Sequence, residues 1–225
     1  MLIKKFFDFL SKFHYDKIYR YSNKLNFDVF IDIGAHQGEF ISRFLKNKKI
    51  NKIYSFEPNI FLFRNLLKKF GLNKRVILSN NALGENTAIK KLFLSNLTYN
   101  SSMSEFNKNS KYLKFKNLIL NENVNQNFSK VKQITFDQYF KSKKIKNSFL
   151  KIDVEGYEYN VLRGASYKVK DVKYILIENQ FSNQYQNDFN KIKKLLNKNN
   201  FKLIKNFYYP SLHYKDMLFK NEKYK

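Results

Sequence analysis

Residues Val29–Phe40 read VFIDIGAHQGEF, an apolar run that ends at Asp32 and is followed by glycines at 34 and 38. This pattern is typical of a buried strand that turns through a glycine loop into a helix. Glycines let the backbone approach a ligand closely and let the next helix begin. His36 stands where dinucleotide-binding loops often have a middle glycine. The stretch predicts a nucleoside-binding turn in an α/β fold and leaves the cofactor open.

The segments around this turn alternate between strand-like and helix-like patterns. Apolar strands are predicted at 28–34, 52–58, 75–84, 148–156 and 172–180, and amphipathic helices at 39–47, 61–71, 157–165 and 187–200. A further strand at 88–96 is predicted to pair in a hairpin or to lie at an edge. Such alternation predicts a mostly parallel sheet with helices on both faces. The last two strands, 201–207 and 214–220, have no helix between them and are predicted to pair antiparallel.

The first 27 residues carry apolar side chains at helical spacing, with lysines and arginines between them. The pattern predicts one or two amphipathic helices ahead of the main domain. Packing of these helices on the sheet or on a second subunit is favoured over association with a membrane surface. We therefore predict an N-terminal helical extension at 1–27 and a single α/β domain at 28–225.

The composition is that of a globular chain, with 43% hydrophobic and 18% aromatic residues, which excludes a disordered protein. No apolar run reaches the ~18 residues that span a bilayer, and Asp8, Ser11 and Lys12 interrupt any signal-peptide core. The absence of cysteine excludes disulfides and thiolate zinc sites. These features predict a cytoplasmic protein.

The formal net charge is +25, which attracts anionic partners in general. The lysines are scattered along the whole chain, whereas a dedicated nucleic-acid binder concentrates Arg and Lys in one stripe with stacking aromatics. The charge is therefore interpreted as background, and no specific nucleic-acid partner is predicted.

Acidic residues stand at the predicted ends of three parallel strands: Asp32, Glu57 and Asp153. In an open α/β sheet, ligands bind at the carboxyl ends of the strands, near the switch in strand order. Glu57 is placed there to accept both hydroxyls of an adenosine ribose. The carboxylate of Asp32 would repel a pyrophosphate but complements the sulfonium and ammonium of S-adenosylmethionine. The turn therefore favours S-adenosylmethionine over NAD or FAD.

Several stretches together resemble the FkbM family of S-adenosylmethionine-dependent methyltransferases, a branch of the class I, Rossmann-like fold. They follow the family's order from 29 to 220 and include IYSFEPN, NNALGE, SSMSEF, ITFDQYF and KDMLFK. The most specific is FLKIDVEGYEYNVLRGA at 149–165. Histidine or asparagine is usual in the family's glycine loop, so His36 fits. The resemblance implies a seven-stranded Rossmann-like sheet whose last strand is reversed.

The resemblance also implies roles for single residues by motif position. The methionine end of S-adenosylmethionine would be lined by Asp32, Gly34, His36 and Gly38. The ribose would be held by Glu57, and adenine would lie against Asn81 and Ala82. Ala35 and Pro58, beside these residues, are further cofactor-binding candidates. The methyl group and the acceptor would be faced by Asp153 and Glu155.

An alcohol acceptor loses a proton on methylation, so a base within hydrogen-bond reach assists the reaction. Asp153 and Glu155 are two apart on a segment predicted to be extended, so both can point into the crevice. Asp153 is favoured as an anchor for cofactor or acceptor, and Glu155 or His36 as the base; Glu178 is a weaker acceptor-side candidate. Equally, Glu155 could be an acid that begins the next helix, and His36 could bond to the cofactor or to its own loop.

No metal is predicted, because no spacing of ligands demands one, although Asp153, Glu155 and Glu178 could offer oxygens to magnesium. His213 is predicted on a loop. Core or edge packing, rather than stacking on a sugar, is predicted for Tyr208, Tyr209 and Tyr214.

The function implied by the resemblance is methyl transfer, commonly to a hydroxyl of a sugar, glycan or other small molecule in surface-polysaccharide or secondary-metabolite synthesis. Loops at 95–127 are expected to meet the acceptor, and the positive charge would suit an anionic or nucleotide-linked one. One alternative is an RNA or DNA methyltransferase, but Asp153-Val-Glu-Gly stands where many base-modifying enzymes have Asn/Asp-Pro-Pro-aromatic. Another is a non-catalytic Rossmann-like binding module, which would not need the acids at Asp32, Glu57 and Asp153. An oligomer is compatible with the sequence.

Overall fold

The computed structural model describes residues 2–94, 101–104, 127–181, 189–210 and 214–224, with side chains from residue 8 onward. The strands are, in chain order, β1 (Val29–Ile33), β2 (Lys52–Phe56), β3 (Val76–Ser79), β4 (Ala82–Leu83), β5 (Ala88–Leu94), β6 (Ser101–Ser102), β7 (Asn127–Ile134), β8 (Ser148–Ile152), β9 (Val172–Gln180), β10 (Phe201–Tyr208) and β11 (Tyr214–Asn221). Most of the predicted 95–127 loop segment lies outside the described residues, as does His213.

Seven of these strands form the main sheet, in the order β10-β11-β9-β8-β1-β2-β3. The pairs from β9 to β3 are parallel, and β11 is antiparallel to both of its neighbours. The central strands β1 and β8 are buried at all five positions, as expected for parallel strands covered on both faces. The prediction of a mostly parallel Rossmann-like sheet with a reversed last strand is confirmed.

Helices cover both faces of this sheet. They are α1 (Leu2–Ser22), α2 (Glu39–Phe44), α3 (Ile60–Phe70), α4 (Phe136–Phe140), α5 (Glu158–Arg163) and α6 (Phe189–Lys198). One core joins α1, α2 and α3 to the face that carries Phe30 and Phe149. The other core joins α4, α5 and α6 to the face that carries Ile31 and Ile152. The alternation of side chains along each strand therefore divides the protein into two packed layers around one sheet.

A second, four-stranded sheet has the order β4-β7-β5-β6. β5 pairs antiparallel with β7 along its whole length, and Ile89 and Lys91 are its exposed residues. The prediction for 88–96 offered a hairpin or an edge position; β5 is antiparallel to both β6 and β7 and lies between them, so the edge alternative was wrong and the separate sheet was not predicted. Nothing local to β5 could show this, because its partner β7 is distant in sequence and register is a property of the pair.

The predicted N-terminal helices form one helix, α1, that packs on the sheet. His14, Ile18 and Ser22 lie on its buried face. The Arg43 guanidinium of α2 donates to the carboxylate of Asp16 at 2.8 Å and fixes the helix laterally. None of the described helices is both long and apolar enough to cross a bilayer.

Candidate active site

The turn after β1 contains three left-handed residues, Gly34 (φ 83°), His36 (φ 50°) and Gly38 (φ 82°). A Cβ at Gly34 would stand 1.8 Å from the carbonyl oxygen of Asp153, so only glycine lets this turn lie against the end of β8. Gly38 is the residue from which α2 begins. The two glycines thus serve different purposes, one a close approach of backbones and the other a helix start.

Glu57 follows β2 and ties the turn to the second strand. Its Oε2 accepts the backbone N–H of His36 at 2.8 Å, and its Oε1 accepts that of Asn59 at 2.9 Å. The carbonyl of Phe56 accepts the N–H of Ala35 at 3.0 Å. Burial raises the pKa of Glu57 to about 7, against the opposing effect of its two N–H donors. Each carboxylate oxygen has a second acceptor position, so the predicted role of Glu57 at a ribose is compatible with its structural one.

Asp32, Lys151 and Asp153 form a chain of charges at the ends of β1 and β8, in which Asp32 and Lys151 are buried. Lys151 is the cross-strand neighbour of Asp32, and its Nζ lies 3.2 Å from Asp32 Oδ1 and 3.2 Å from Asp153 Oδ2. The same Nζ donates to the carbonyl of Gly34 at 3.3 Å. Its cation therefore orients two carboxylates that the sequence assigns to cofactor binding.

The protonation of this chain follows from burial and pairing. Burial raises the pKa of Asp32 to about 6, although Lys151 pulls it down. For Lys151 itself burial acts against the charge, but Asp153 and Asp32 outweigh it and raise the pKa above its ordinary value. Within the described residues, Oδ2 of Asp32 is buried without a hydrogen-bond partner. Lys151 is therefore a permanent cation, and Asp32 keeps one oxygen for a ligand.

His36 bonds to its own loop, one of the two roles predicted for it. Its Nδ1 lies 2.9 Å from Oε1 of Glu39, in the first turn of α2. Burial disfavours the imidazolium, but the bond and charge of Glu39 outweigh it and raise the pKa of His36. Nε2 is buried, and in the described part of the chain nothing bonds to it. The ring is therefore fixed on one side and available on the other.

The predicted adenine side lies after β3 and is held by side-chain amides. The third strand ends at Ser79, so Asn80 and Asn81 follow it rather than belonging to it. Asn80 Nδ2 donates to the carbonyls of Glu57 at 2.8 Å and of Pro58 at 3.1 Å. Ala82 is buried as the first residue of β4 and pairs with β7. These residues join the ends of β2 and β3, and contact with adenine stays a prediction.

The segment after β8 is not extended through Glu155, so the prediction of an extended segment there was wrong. β8 ends at Ile152, and Glu155 is left-handed with φ 52°. The acid that begins α5 is Glu158, whose Oε1 accepts the N–H of Gly156 at 3.0 Å and that of Val154 at 3.3 Å. Burial raises the pKa of Glu158 to about 7. The carboxylate of Glu158 thus stabilises the turn at 153–156, and this turn places Glu155 next to β9.

Glu155 meets Glu178, at the end of β9, through a shared amide. Gln180 Nε2 donates to Glu155 Oε2 at 2.9 Å and to Glu178 Oε1 at 2.6 Å. Burial, and after it the charges of Asp153 and Glu155, raise the pKa of Glu178 well above its ordinary value. Asp216 on β11 is directly opposite Glu178 in the sheet. These acids extend the site from the β1 turn across to the reversed strand.

Helix α1 covers this extension of the site. His14 Nε2 lies 2.7 Å from Asp216 Oδ2, and both side chains are buried. The ring of Tyr15 packs 5.1 Å from that of Phe40, centroid to centroid, and Lys151 Nζ lies 5.0 Å from the centroid of Phe40 on the same face of the sheet. Burial and then the charge of Asp153 raise the pKa of Tyr15. The N-terminal helix is therefore in contact with the site.

Several residues at the site were not predicted from the sequence. Lys151 had a signal, because a lysine in the middle of the apolar strand FLKID must have a buried partner. His14 and Tyr15 had none, because helical spacing does not reveal what a helix packs on.

Tyr209 and Tyr214 stack on each other at 4.5 Å between centroids, as the packing prediction expected. Over the described ranges, no three His, Asp or Glu side chains are grouped to hold a metal ion.

Comparisons with solved structures show the same fold. The chain is similar to the crystal structure of methyltransferase FkbM from Methylobacillus flagellatus, with a TM-score of 0.58 and 15% identity over 88% of this chain and 45% of that one. It is also similar to the fibrillarin pre-rRNA processing protein of Methanococcus jannaschii, with a TM-score of 0.52 and 13% identity over 88% and 67% of the two chains. A third similar structure is that of Aeropyrum pernix fibrillarin in complex with natively bound S-adenosyl-L-methionine. Its TM-score is 0.50, with 10% identity over 88% of this chain and 67% of that one.

The sequence comparisons identify the family. Protein Ycf2 of Marchantia polymorpha is 35% identical over 120 residues, which are 53% of this chain but 5% of Ycf2. The chain thus spans less than half of the FkbM structure and a small part of Ycf2. The family model of the Methyltransferase FkbM domain matches residues 32–203, from Asp32 at the end of β1 into β10. Because this match covers most of the chain, the protein belongs to the FkbM family of methyltransferases.

Proposed function

We propose that this chain binds S-adenosylmethionine at the carboxyl ends of β1, β2 and β8 and methylates a hydroxyl oxygen of a sugar, glycan or other small-molecule acceptor. The observation that carries the proposal is the convergence of Asp32, Glu57 and Asp153 on one glycine turn. The turn lies where the strand order switches on either side of β1. An acidic turn suits a cofactor with a cationic end and no phosphate.

The residues at the turn fit this cofactor. S-adenosylmethionine supplies a methyl group on a sulfonium, which is already a good leaving group. Asp32 Oδ2 and His36 Nε2 are buried atoms without partners in the described part of the chain, and a ligand there would satisfy them. Glu57 can accept ribose hydroxyls with the lone pairs that its backbone donors leave. Lys151 keeps Asp32 and Asp153 oriented, so little reorganisation is needed on binding.

The acceptor would lie on the other side of Asp153, towards β9 and α1. Asp153 is 25% exposed in its side chain, more than Asp32 or Lys151. Glu155, Glu178 and Gln180 offer oxygens that accept hydrogen bonds from hydroxyl groups. Tyr15 of α1 adds an aromatic ring near these acids, since burial and then the charge of Asp153 raise its pKa. Several hydrogen-bond acceptors beside an aromatic ring favour a polyhydroxylated acceptor.

Proton removal from the acceptor is better assigned to the acids near β9 than to His36. The pKa of His36 is raised, so near neutral pH more of its rings already carry the proton, and a protonated imidazole cannot accept another. The pKa of Glu178 is also raised, and for a carboxylate that means greater basicity. We therefore favour Glu155 with Glu178 as the proton-accepting pair, and His36 as a residue that binds cofactor.

The charge of the acceptor side argues against an anionic group at the reacting end. Asp153, Glu155 and Glu178 would repel a phosphate or carboxylate there. If the acceptor is nucleotide-linked, its phosphates would lie away from these acids, nearer the surface lysines. The same repulsion disfavours a nucleic-acid backbone close to Asp153.

Methyl transfer can be tested with the full chain and S-adenosylmethionine labelled in the methyl group. Neutral oligosaccharides, nucleotide-linked sugars and RNA would be offered in parallel, and base-stable label in each would be counted. We expect label as methyl ether in a hydroxylated small-molecule or glycan acceptor. Label in RNA with none in the hydroxylated acceptors would overturn the proposal in favour of a nucleic-acid methyltransferase.

Two variants make the assay specific to the site. Asp153→Asn should remove transfer to every acceptor. Glu222→Gln changes an exposed acid that pairs with Lys202 on the surface, and it should leave transfer at the level of the unaltered chain. Equal activity of the two variants would show that the label does not arise at the proposed site.

A further inference from the structure

Helix α1 has one face that is already packed and one that is not. His14, Ile18 and Ser22 are buried against the domain. On the opposite face, Phe9 and Phe13 are 65% and 61% exposed. They are four residues apart, so their rings lie on the same side of the helix, one turn from each other. We call these two rings the α1 phenyl pair.

The α1 phenyl pair cannot be buried by a simple rotation of the helix. The buried face is fixed by the His14–Asp216 pair at 2.7 Å and by Ser11 Oγ, which lies 3.0 Å from the hydroxyl of Tyr209. On the side, Arg43 holds Asp16. Turning the rings inward would break the buried pair and leave Asp216 buried without its partner, which is strongly unfavourable. The pair is therefore presented outward from a fixed helix.

The charged side chains around the α1 phenyl pair indicate which kind of surface it binds. Lys12, Lys17 and Arg20 are exposed on this helix, against one exposed acid, Asp8. Asp16 is already neutralised by Arg43. Apolar rings among basic side chains are the features by which a helix lies in the headgroup region of an anionic bilayer.

A second copy of the chain fits this surface less well. Two copies meeting through α1 would bring Lys12, Lys17 and Arg20 of each towards those of the other. Each copy also carries a net charge of +25, which opposes self-association. An anionic surface instead gains from the same charges.

We propose that the exposed face of α1 docks this protein on anionic lipid surfaces, with Phe9 and Phe13 inserted among the headgroups. The proposal does not depend on the reaction that the site catalyses. Its consequence for the site is geometric, because Tyr15 lies on the opposite face of the same helix and packs on Phe40. The methyl-transfer site would then lie about one helix diameter, ~10 Å, from the lipid.

The chain offers a clean reporter, because it contains no tryptophan. Phe13→Trp introduces a single indole in the α1 phenyl pair. The matched control is Phe61→Trp on α3, where the phenylalanine is 63% exposed. Each full-length variant would be titrated with vesicles of phosphatidylcholine alone and of phosphatidylcholine mixed with phosphatidylglycerol. We expect the emission of F13W to shift to the blue only with the anionic vesicles, and that of F61W not to shift.

Co-sedimentation with the same vesicles separates insertion from general charge attraction. The double variant Phe9→Ser/Phe13→Ser should lower the partition coefficient on anionic vesicles by at least about tenfold. Its thermal unfolding should match that of the unaltered chain, because both rings are exposed. Native-like binding of the double variant, or equal emission shifts for F13W and F61W, would overturn the proposal. A native dimer that becomes monomeric in the double variant would also overturn it, in favour of a second copy as the occupant.

Discussion

The ammonium of Lys151 lies 3.2 Å from the carboxylate of Asp32, on neighbouring parallel strands, with both side chains buried. A second carboxylate, that of Asp153, lies at the same distance from the ammonium. The two acids at the ends of β1 and β8 thus share one counter-charge, the ammonium of Lys151. In a site proposed to bind a sulfonium, this lysine balances the acids while leaving Oδ2 of Asp32 available.

Replacing Lys151 by methionine should destabilise the fold severely. The change leaves Asp32 buried and without its counter-charge, which typically costs about 3–5 kcal/mol. Urea unfolding measures the free energy directly. The control Lys202→Met removes an exposed pair with Glu222 and should cost less than about 1 kcal/mol. The double variant Asp32→Asn/Lys151→Met should recover part of the loss, and no recovery would show that the charge pair is not the cause.

The two glycines of the turn should differ in their tolerance of alanine. Both have positive φ, so each substitution carries about 1–3 kcal/mol of backbone strain. At Gly34 the new Cβ would also meet the backbone carbonyl of Asp153, which cannot move without shifting β8. At Gly38 it would meet the ring of Phe70, a side chain that can rotate away. Gly34→Ala should therefore lower the midpoint of thermal unfolding further than Gly38→Ala, and the reverse order would be inconsistent with this geometry.

The stability of the fold should depend on the protonation of Glu57. Its pKa rises from 4.5 to about 7 on folding, so the folded state holds a proton that the unfolded state releases. The contribution is fully present below about pH 4.5 and is lost as the pH rises through about 7, a change on the order of 3 kcal/mol. In Glu57→Gln this part of the pH dependence should disappear. Unfolding curves at several pH values give the free energy of unfolding as a function of pH, and the slope of this function should be smaller in Glu57→Gln. An unchanged slope would refute the shifted pKa.

The buried pair between His14 and Asp216 should hold α1 on the domain. Replacing His14 by alanine leaves Asp216 buried without its partner, which should cost about 3 kcal/mol or more. In this variant, hydrogen exchange of the α1 amides should be faster than in the unaltered chain by a larger factor than hydrogen exchange of the β1 amides. The control Asp16→Asn breaks a more exposed bridge to Arg43 and should cost less than about 1 kcal/mol. Unchanged protection of α1 in His14→Ala would show that other contacts hold the helix.

The succession of strands and helices and the acids at the strand ends could be predicted from the sequence, because each carries a local signal. Apolar runs that end in Asp32, Glu57 and Asp153 place carboxylates at strand ends. Glycines at 34 and 38 mark the turn, and the structure gives both a positive φ. The FkbM resemblance then implies seven strands with the last one reversed, which periodicity alone does not give. Family membership and fold class are confirmed by the comparisons.

The features of the fold and the site that were not predicted depend on contacts between segments that are distant in sequence. The second sheet forms because β5 meets β7, and neither strand signals its partner. Tyr15 reaches the site only because α1 lies along α2, and His14 only because β11 brings Asp216 beneath it. The left-handed turn at Glu155 is set by Glu158, which bonds the N–H groups of that turn. Such pairings are decided by tertiary packing, which overrides local preference.

Calorimetric titration of the full chain with S-adenosylmethionine, and with NAD as the competing cofactor, tests which cofactor binds at the β1 turn. We expect saturable binding of S-adenosylmethionine, none of NAD, and an affinity at least about tenfold weaker in Glu57→Ala. Binding of NAD without S-adenosylmethionine, or native affinity for S-adenosylmethionine in Glu57→Ala, would contradict this expectation.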